Sequence, residues 1–147
     1  MSDLLSDLDA LRGSLPTGVE FVYDVRPDEF RLLVLGLPSG MRGSGTRLLA
    51  TALTLADRAG VRTTLLVDPT DDPEDPSTFD LVRWYSRFGF EMTEIDDWGR
   101  PRMAREPEGR DMAGILAAYA ERKADDLTWT DYESLLREAP MVSAFTM

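Results

Sequence analysis

A glycine-rich segment, Pro38 to Gly45, separates an apolar run ending at Leu37 from a helical pattern beginning at Thr46. Because glycine has no Cβ atom, such a segment lets the backbone approach a ligand closely. The unpaired amides of the following helical turn, together with the helix dipole, attract a phosphate or another anion. The pattern therefore indicates anion binding at Gly43 and Gly45, although glycines in this position also serve turns that bind nothing.

Two well-known phosphate-binding motifs do not fit this segment. A Walker A loop requires Gly-Lys followed by Ser or Thr, and the only lysine of the chain is Lys123. A dinucleotide fingerprint requires a third glycine three residues after Gly45, where the sequence has Leu48. We therefore expect neither of these nucleotide-binding classes.

Few side-chain types are available for catalysis. The 147 residues include no cysteine and no histidine, which excludes a Ser-His-Asp triad, a Cys-His pair and the usual zinc sites. Carboxylates, hydroxyls, arginines, Lys123 or backbone amides would have to act instead. The acidic segment Asp68 to Pro76 lacks the glycine and the alternating acids of an EF-hand, so no metal site is predicted.

The charge balance limits the partners of the protein. A formal net charge of −11 repels nucleic acid phosphates and attracts amines. We therefore expect no direct nucleic-acid binding. The acidic N-terminal residues are unlike a signal peptide and no apolar run reaches membrane-spanning length, which predicts a cytoplasmic protein without a membrane partner.

The apolar periodicity of the first half predicts a helix, an antiparallel hairpin, a second helix and a strand. Leucines at helical spacing begin at Leu4, and the strands of the hairpin lie near residues 19–23 and 30–37, the second more fully buried. The second helix runs from Thr46 toward Gly60, and a short strand covers residues 63–67.

The sequence pattern of the second half of the chain predicts a helix, two strands and two further helices. The helix begins at Ser77 or Thr78, and the strands cover residues 90–95 and 100–105. A helix over residues 112–123 follows, and a capping box at residues 130–133 starts the last helix. We expect one domain over residues 1–107 and a helical extension, residues 108–147, packed on the same domain.

The chain resembles the GNAT (Gcn5-related) N-acetyltransferases, in their short bacterial and phage versions. The strand, glycine loop and helix of family motif A are matched by Leu35 to Leu49, and motif B by Trp84 to Phe90. Met103 to Pro107 is similar to the closing strand, and the resemblance covers roughly residues 18–107. The motif A loop, an Arg or Gln followed by two glycines, can be aligned in two ways. Either Arg42 is the leading arginine and Arg47 stands in place of the second glycine, or Gly43 and Gly45 are the two glycines.

The resemblance implies a mixed, mostly antiparallel central sheet flanked by helices, and direct acetyl transfer from acetyl-CoA to an amine in a ternary complex. Tyr85 would be the general acid, and a backbone amide at a splayed or bulged part of the strand over residues 33–37 would polarise the thioester carbonyl. Glu91 is a candidate general base, beside Glu20 and Glu94. The residues expected to bind acetyl-CoA are Leu35, Leu37, Arg42, Gly43, Ser44, Gly45, Thr46, Arg47, Ser77 and Tyr85.

The resemblance implies an amine-bearing acceptor, either a small molecule or a protein lysine. A homodimer through exposed apolar positions of the C-terminal helices is compatible with the sequence. The alternative function is a catalytically degenerate GNAT-like domain that acts as an acidic protein-binding module, for example a phage protein acting on a host system.

Overall fold

The computed structural model describes residues 4–36, 44–67, 78–96, 99–122, 128–138 and 141–142. Helices and strands are interspersed along the chain, and the predicted mixed α+β fold is confirmed. The elements are α1 (Leu4–Gly13), β1 (Glu20–Arg26), β2 (Glu29–Gly36), α2 (Ser44–Ala59), β3 (Arg62–Leu66), α3 (Thr78–Ser86), β4 (Glu91–Asp96), β5 (Pro101–Arg105), α4 (Met112–Glu121), α5 (Trp129–Glu138) and β6 (Met141–Val142).

The chain forms two compact units, which are described separately. The first comprises residues 1–64 and 106–117, and the second comprises residues 65–105 and 118–147. The chain passes from the first unit to the second within β3, and again within α4. The domain boundary expected at residue 107 stays a prediction.

In the first unit β1 and β2 form the predicted antiparallel hairpin, which runs from the pair Glu20 and Gly36 to the pair Arg26 and Glu29. α1 packs against both β1 and α2, and apolar side chains of the hairpin and of the two helices are buried in the core of this unit. Buried members of this core include Leu8, Phe21, Phe30, Leu32, Leu49 and Leu53.

The expectation that the second strand is more fully buried is wrong for part of β2. Phe30 and Leu32 are buried, but the Leu33 side chain is 57% exposed. An antiparallel strand with one covered face alternates between buried and exposed positions, so an apolar run does not by itself establish burial on both faces.

In the second unit the strand order is β5-β4-β6. β4 and β5 are antiparallel, from the pair Glu91 and Ala104 to the pair Ile95 and Pro101. β6, which the sequence did not predict, lies parallel to β4 and adds a two-residue strand to the C-terminal segment.

The last helix begins two residues earlier than the predicted capping box. The N–H of Asp131 donates to Thr128 Oγ1, and the N–H of Thr128 donates to a carboxylate oxygen of Asp131, both at 3.2 Å. These reciprocal bonds make Thr128 the N-cap of α5, in place of the predicted Thr130.

Within the described parts of the chain, every helix is too short or too polar to cross a membrane.

Candidate functional site

The hairpin of the first unit contains a bulge inside residues 33–37, the stretch expected to be splayed or bulged. Val22 pairs with Val34 and the next residue, Tyr23, pairs with Leu32, so Leu33 has no partner of its own on β1. An extra residue of this kind disrupts the hydrogen-bond ladder locally and bends the strand. The bulge lies three residues before the end of β2, at the side of the hairpin that leads to the glycine-rich segment.

The helix that follows the glycine-rich segment starts at Ser44 and runs for 16 residues. Gly45 is buried, Thr46 is half-buried and Arg47 is exposed, all in the first turn. This turn contains no acidic residue. Its amide groups and the positive end of the helix dipole therefore meet no competing carboxylate within the turn.

The helix is held in place by its apolar face. Leu48, Leu49 and Leu53 are buried, as the helical stripe predicted. On another face Thr51 Oγ1 donates to the carbonyl oxygen of Arg47 at 2.8 Å and lies 3.6 Å from the sulfur of Met112. The first turn is thus fixed to the core of the first unit, while Arg47 remains at the surface.

Several predicted cofactor-binding residues, namely Leu37, Arg42, Gly43 and Ser77, lie outside the described residues. Leu35 is a half-buried residue near the end of β2. Of the expected set, the first unit contains Leu35 together with Ser44, Gly45, Thr46 and Arg47, and Tyr85 and Glu91 belong to the second unit.

Tyr85 is a buried residue of the last turn of α3, with 9% of its surface exposed. Its ring lies against Trp84, with centroids 5.0 Å apart, and meets Phe90 edge-on at 5.6 Å. Burial raises the pKa of Tyr85 to about 12. Its hydroxyl therefore keeps its proton at neutral pH and forms no hydrogen bond with any described residue.

A helix-terminating motif fixes the position of Tyr85. The N–H of Phe90 donates to the carbonyl oxygen of Tyr85 at 3.4 Å, and the N–H of Gly89 donates to that of Ser86 at 3.0 Å. Gly89 has a φ of 98°. These bonds and the contact between the Tyr85 and Phe90 rings constitute a Schellman motif. The spacing of Tyr85, Gly89 and Phe90 is therefore explained by the end of the helix, whether or not Tyr85 has a chemical role.

The candidate general bases are exposed or half-buried glutamates of β1 and β4. Glu91 is exposed at the start of β4, and Glu94 is half-buried on the same strand. The carboxylate of Glu94 is 3.8 Å from the guanidinium of Arg102. Glu20 is exposed at the start of β1, opposite Gly36 at the end of β2. Nothing in the geometry distinguishes Glu91 as the base.

The first unit also has a polar groove that sequence reasoning missed. Its volume is about 460 Å³, and it contains none of the predicted site residues. Arginines and carboxylates line it in pairs, including Arg62 and Glu106 with 2.7 Å between Nε and Oε1. Arg31 pairs with Glu29 of the same strand, whereas Arg62 and Glu106 are 44 positions apart in the chain, so sequence spacing alone does not bring the two pairs together as a groove.

Among the described residues no three acidic side chains are grouped closely enough to hold an ion.

No protein-family model matches the sequence, and no curated protein matches it. A solved structure, Ard1 from Thermoplasma volcanium, is similar to part of the chain, with 24% sequence identity and a TM-score of 0.46. The similar part is 58% of this chain and 60% of that one.

Proposed function

We propose that this protein is an acyltransferase of the GNAT type, which transfers an acetyl group from acetyl-CoA to an amine. The observation that carries the proposal is the bulge at Leu33 in β2, followed by the glycine-rich segment and by α2 with an acid-free first turn. A bulged strand leaves backbone groups outside the ladder, and a helix N-terminus binds phosphate. The two features stand in the order that motif A requires.

The cofactor is bound by the first turn of α2 in this proposal. The pyrophosphate of acetyl-CoA accepts hydrogen bonds from the amides of residues 44–47, and Arg47 adds a positive charge at the surface. This local charge is needed because the net charge of −11 repels an anionic cofactor at long range. Leu35, Leu37, Arg42, Gly43 and Ser77 complete the proposed cofactor contacts.

The reaction is a direct attack of a neutral amine on the thioester carbonyl carbon. The carbon–nitrogen bond forms, the carbon–sulfur bond breaks, the amine loses a proton and the departing thiolate gains one. A backbone N–H at the bulge polarises the carbonyl oxygen, as in an oxyanion hole. The base that takes the amine proton is one of the exposed carboxylates, with Glu91 the first to test.

The raised pKa of Tyr85 defines what this residue can do. Its phenol has a pKa of about 12, and an ordinary thiol has a pKa of about 8.5. Complete transfer of the phenolic proton to the thiolate is therefore uphill by about 5 kcal/mol. Tyr85 instead donates a hydrogen bond that stabilises the charge on the sulfur as the bond breaks, and the proton released by the amine reaches the thiolate through solvent.

Calorimetry with acetyl-CoA tests the proposal most directly. We expect the wild-type protein to bind acetyl-CoA and Gly43→Trp to lose binding, because the large side chain would occupy the pyrophosphate position. Tyr85→Phe should bind acetyl-CoA as the wild type does, since its lost hydroxyl serves the leaving sulfur and not the pyrophosphate. A screen of small amines and lysine peptides for release of free CoA then identifies the acceptor class.

Absence of acetyl-CoA binding at millimolar cofactor would overturn the enzyme proposal. The alternative, a degenerate GNAT-like domain that binds a protein partner through its acidic surface, would then account better for the sequence. Binding that survives Gly43→Trp would show that the cofactor occupies some other part of the chain.

A further inference from the structure

β1 is an edge strand of the first unit. It pairs with β2 along one side, and no other described strand pairs with its second side. Edge strands present unpaired N–H and C=O groups to any strand of matching shape, and proteins often protect them with proline or lysine. β1 has seven residues, Glu20–Arg26, and includes neither.

We propose that β1 pairs antiparallel with β1 of a second copy of this chain, in a register centred on Tyr23, so that the protein forms a two-fold symmetric dimer. Such a contact is isologous, because the same strand serves on both sides. It is independent of the proposed acetyltransferase function, since it involves no cofactor.

The alternation of side chains limits the registers that this pairing can adopt. Phe21 lies on the covered face of β1 and is 3% exposed, whereas Val22 on the opposite face is 43% exposed. Opposed residues in an antiparallel pair point to the same face, so Tyr23 must face an odd-numbered residue of the second copy. The register centred on Tyr23 satisfies this rule and overlaps all seven residues.

The charges of the strand favour the same register. It places Glu20 opposite Arg26 of the second copy, and by symmetry the same pair forms at the other end. A shift by two residues in one direction sets Glu20 opposite Asp24, and a shift in the other direction sets the two Asp24 side chains opposite each other. Opposed like charges destabilise strand pairs, so both shifts are unfavourable.

The two end residues are available for this contact. Glu20 is exposed and has no ion pair with any residue in the described ranges. Among the described residues Arg26 forms an ion pair with the neighbouring Asp24 alone, with Nε and Oδ2 3.0 Å apart, and both side chains are about half exposed. Exposed pairs of this kind contribute little stability, so Arg26 can also bind the second carboxylate.

The same arrangement partly buries Val22, an exposed apolar residue. In the register centred on Tyr23, the two Val22 side chains become diagonal neighbours on the outer face. Diagonal pairs across antiparallel strands remain within reach of each other and contribute to pairing. A two-strand contact is smaller than a standard interface, so we expect association in the micromolar range.

Charge reversal at the two strand ends tests the register. Sedimentation velocity over a range of concentrations should show dimers for the wild type, and mostly monomers for Glu20→Arg and for Arg26→Glu, with dissociation constants raised at least about tenfold. An equimolar mixture of these two variants should form a heterodimer, because each opposed pair then has opposite charges. The double variant should dimerise with itself for the same reason.

Matched reversals elsewhere control for net charge. Glu91→Arg and Arg102→Glu change exposed residues of β4 and β5 by the same amounts, and we expect both to dimerise as the wild type does. Circular dichroism establishes that each variant is folded. A wild-type monomer at all concentrations, unchanged dimers in the single variants, or a mixture of the two variants that stays monomeric would overturn the proposal.

Discussion

The backbone N–H of Phe90 donates to the carbonyl oxygen of Tyr85, and the rings of the same two residues meet edge-on. The hydrogen bond ends α3 in a Schellman motif, which requires a residue with positive φ at position 89. The tyrosine proposed for catalysis is therefore held by the same bonds that terminate its helix. A change at Gly89 affects the position of Tyr85 without touching its hydroxyl.

Replacement of Gly89 by alanine should lower the free energy of unfolding by about 1–2 kcal/mol, because an L-residue is strained at the φ of 98° found there. Urea denaturation measures this loss. Gly13→Ala is the matched control, since a Cβ at Gly13 meets nothing within 4 Å and its φ is not positive. Equal effects of the two substitutions would contradict the assigned helix end.

The cap of α5 gives a second stability prediction. Thr128→Ala should destabilise the protein by about 1 kcal/mol, because the substitution removes the acceptor of the Asp131 N–H. Thr130→Ala should change stability much less, since Thr130 is an exposed residue inside the helix. Urea denaturation measures the free energy of unfolding of both variants. A larger loss of stability for Thr130→Ala would show that Thr130 is the N-cap, as the sequence predicted.

The capping-box pattern alone does not determine which threonine is the N-cap of α5. Thr128 and Thr130 both precede an acidic residue by three positions, so both satisfy the pattern of a capping box. Packing selects the first: Trp129 and Tyr132 both contact Phe79, with ring centroids 5.1 Å apart in each case. These tertiary contacts favour a helix that already includes Trp129.

The sequence predicted the elements of the site better than their details. Helical periodicity and glycine breaks located α2 and α3 to within about two residues of the bounds found in the structure. A splayed or bulged stretch was expected within residues 33–37, but the bulge at Leu33 depends on the pairing register with β1, which periodicity does not determine. β6 was missed because two residues of backbone pairing leave no pattern to read.

Alkaline pH should destabilise the protein through Tyr85. The pKa of this residue is about 12 in the folded protein, against an ordinary value of 10.0. The stabilising contribution is fully present below about pH 10 and is lost as the pH rises toward 12, because the unfolded chain releases the proton first. Its size is at most about 2–3 kcal/mol.

Urea denaturation between neutral pH and about pH 11 measures this effect. Burial and the bond to Asp9 also raise the pKa of Tyr23 to about 12, so Tyr23 contributes in the same direction. The difference between the wild type and Tyr85→Phe isolates Tyr85. We expect a shallower alkaline decline in the variant, and parallel curves would show that Tyr85 ionises with its ordinary pKa.

Charge reversal in the first turn of α2 tests the proposed cofactor contact. Arg47→Glu should weaken acetyl-CoA binding by about tenfold or more, because it places a carboxylate beside the amides that bind the pyrophosphate. Calorimetry measures the dissociation constant. Arg58→Glu is the control, since it changes the net charge equally in the last turn of the same helix. Equal weakening by the two variants would assign the effect to overall charge.

Removal of the Tyr85 hydroxyl tests its proposed role in catalysis. Once an amine acceptor is found, Tyr85→Phe should lower kcat by about 10²-fold and leave the dissociation constant of acetyl-CoA nearly unchanged, because the hydrogen bond to sulfur matters only as the carbon–sulfur bond breaks. The substitution should cost little stability, since the hydroxyl forms no hydrogen bond with a described residue. Steady-state kinetics and calorimetry together provide the measurement.

The leaving group provides a sharper version of the same test. If Tyr85 stabilises charge on the departing sulfur, an acetyl thioester of a more acidic thiol needs less help, and the deficit of Tyr85→Phe should shrink with such a donor. If Tyr85 instead serves only to pack against Phe90, the variant should show the same small deficit with every donor. Comparing the ratio of wild-type to variant kcat for two thioesters of different thiol acidity therefore separates a chemical role of the hydroxyl from a structural role of the ring.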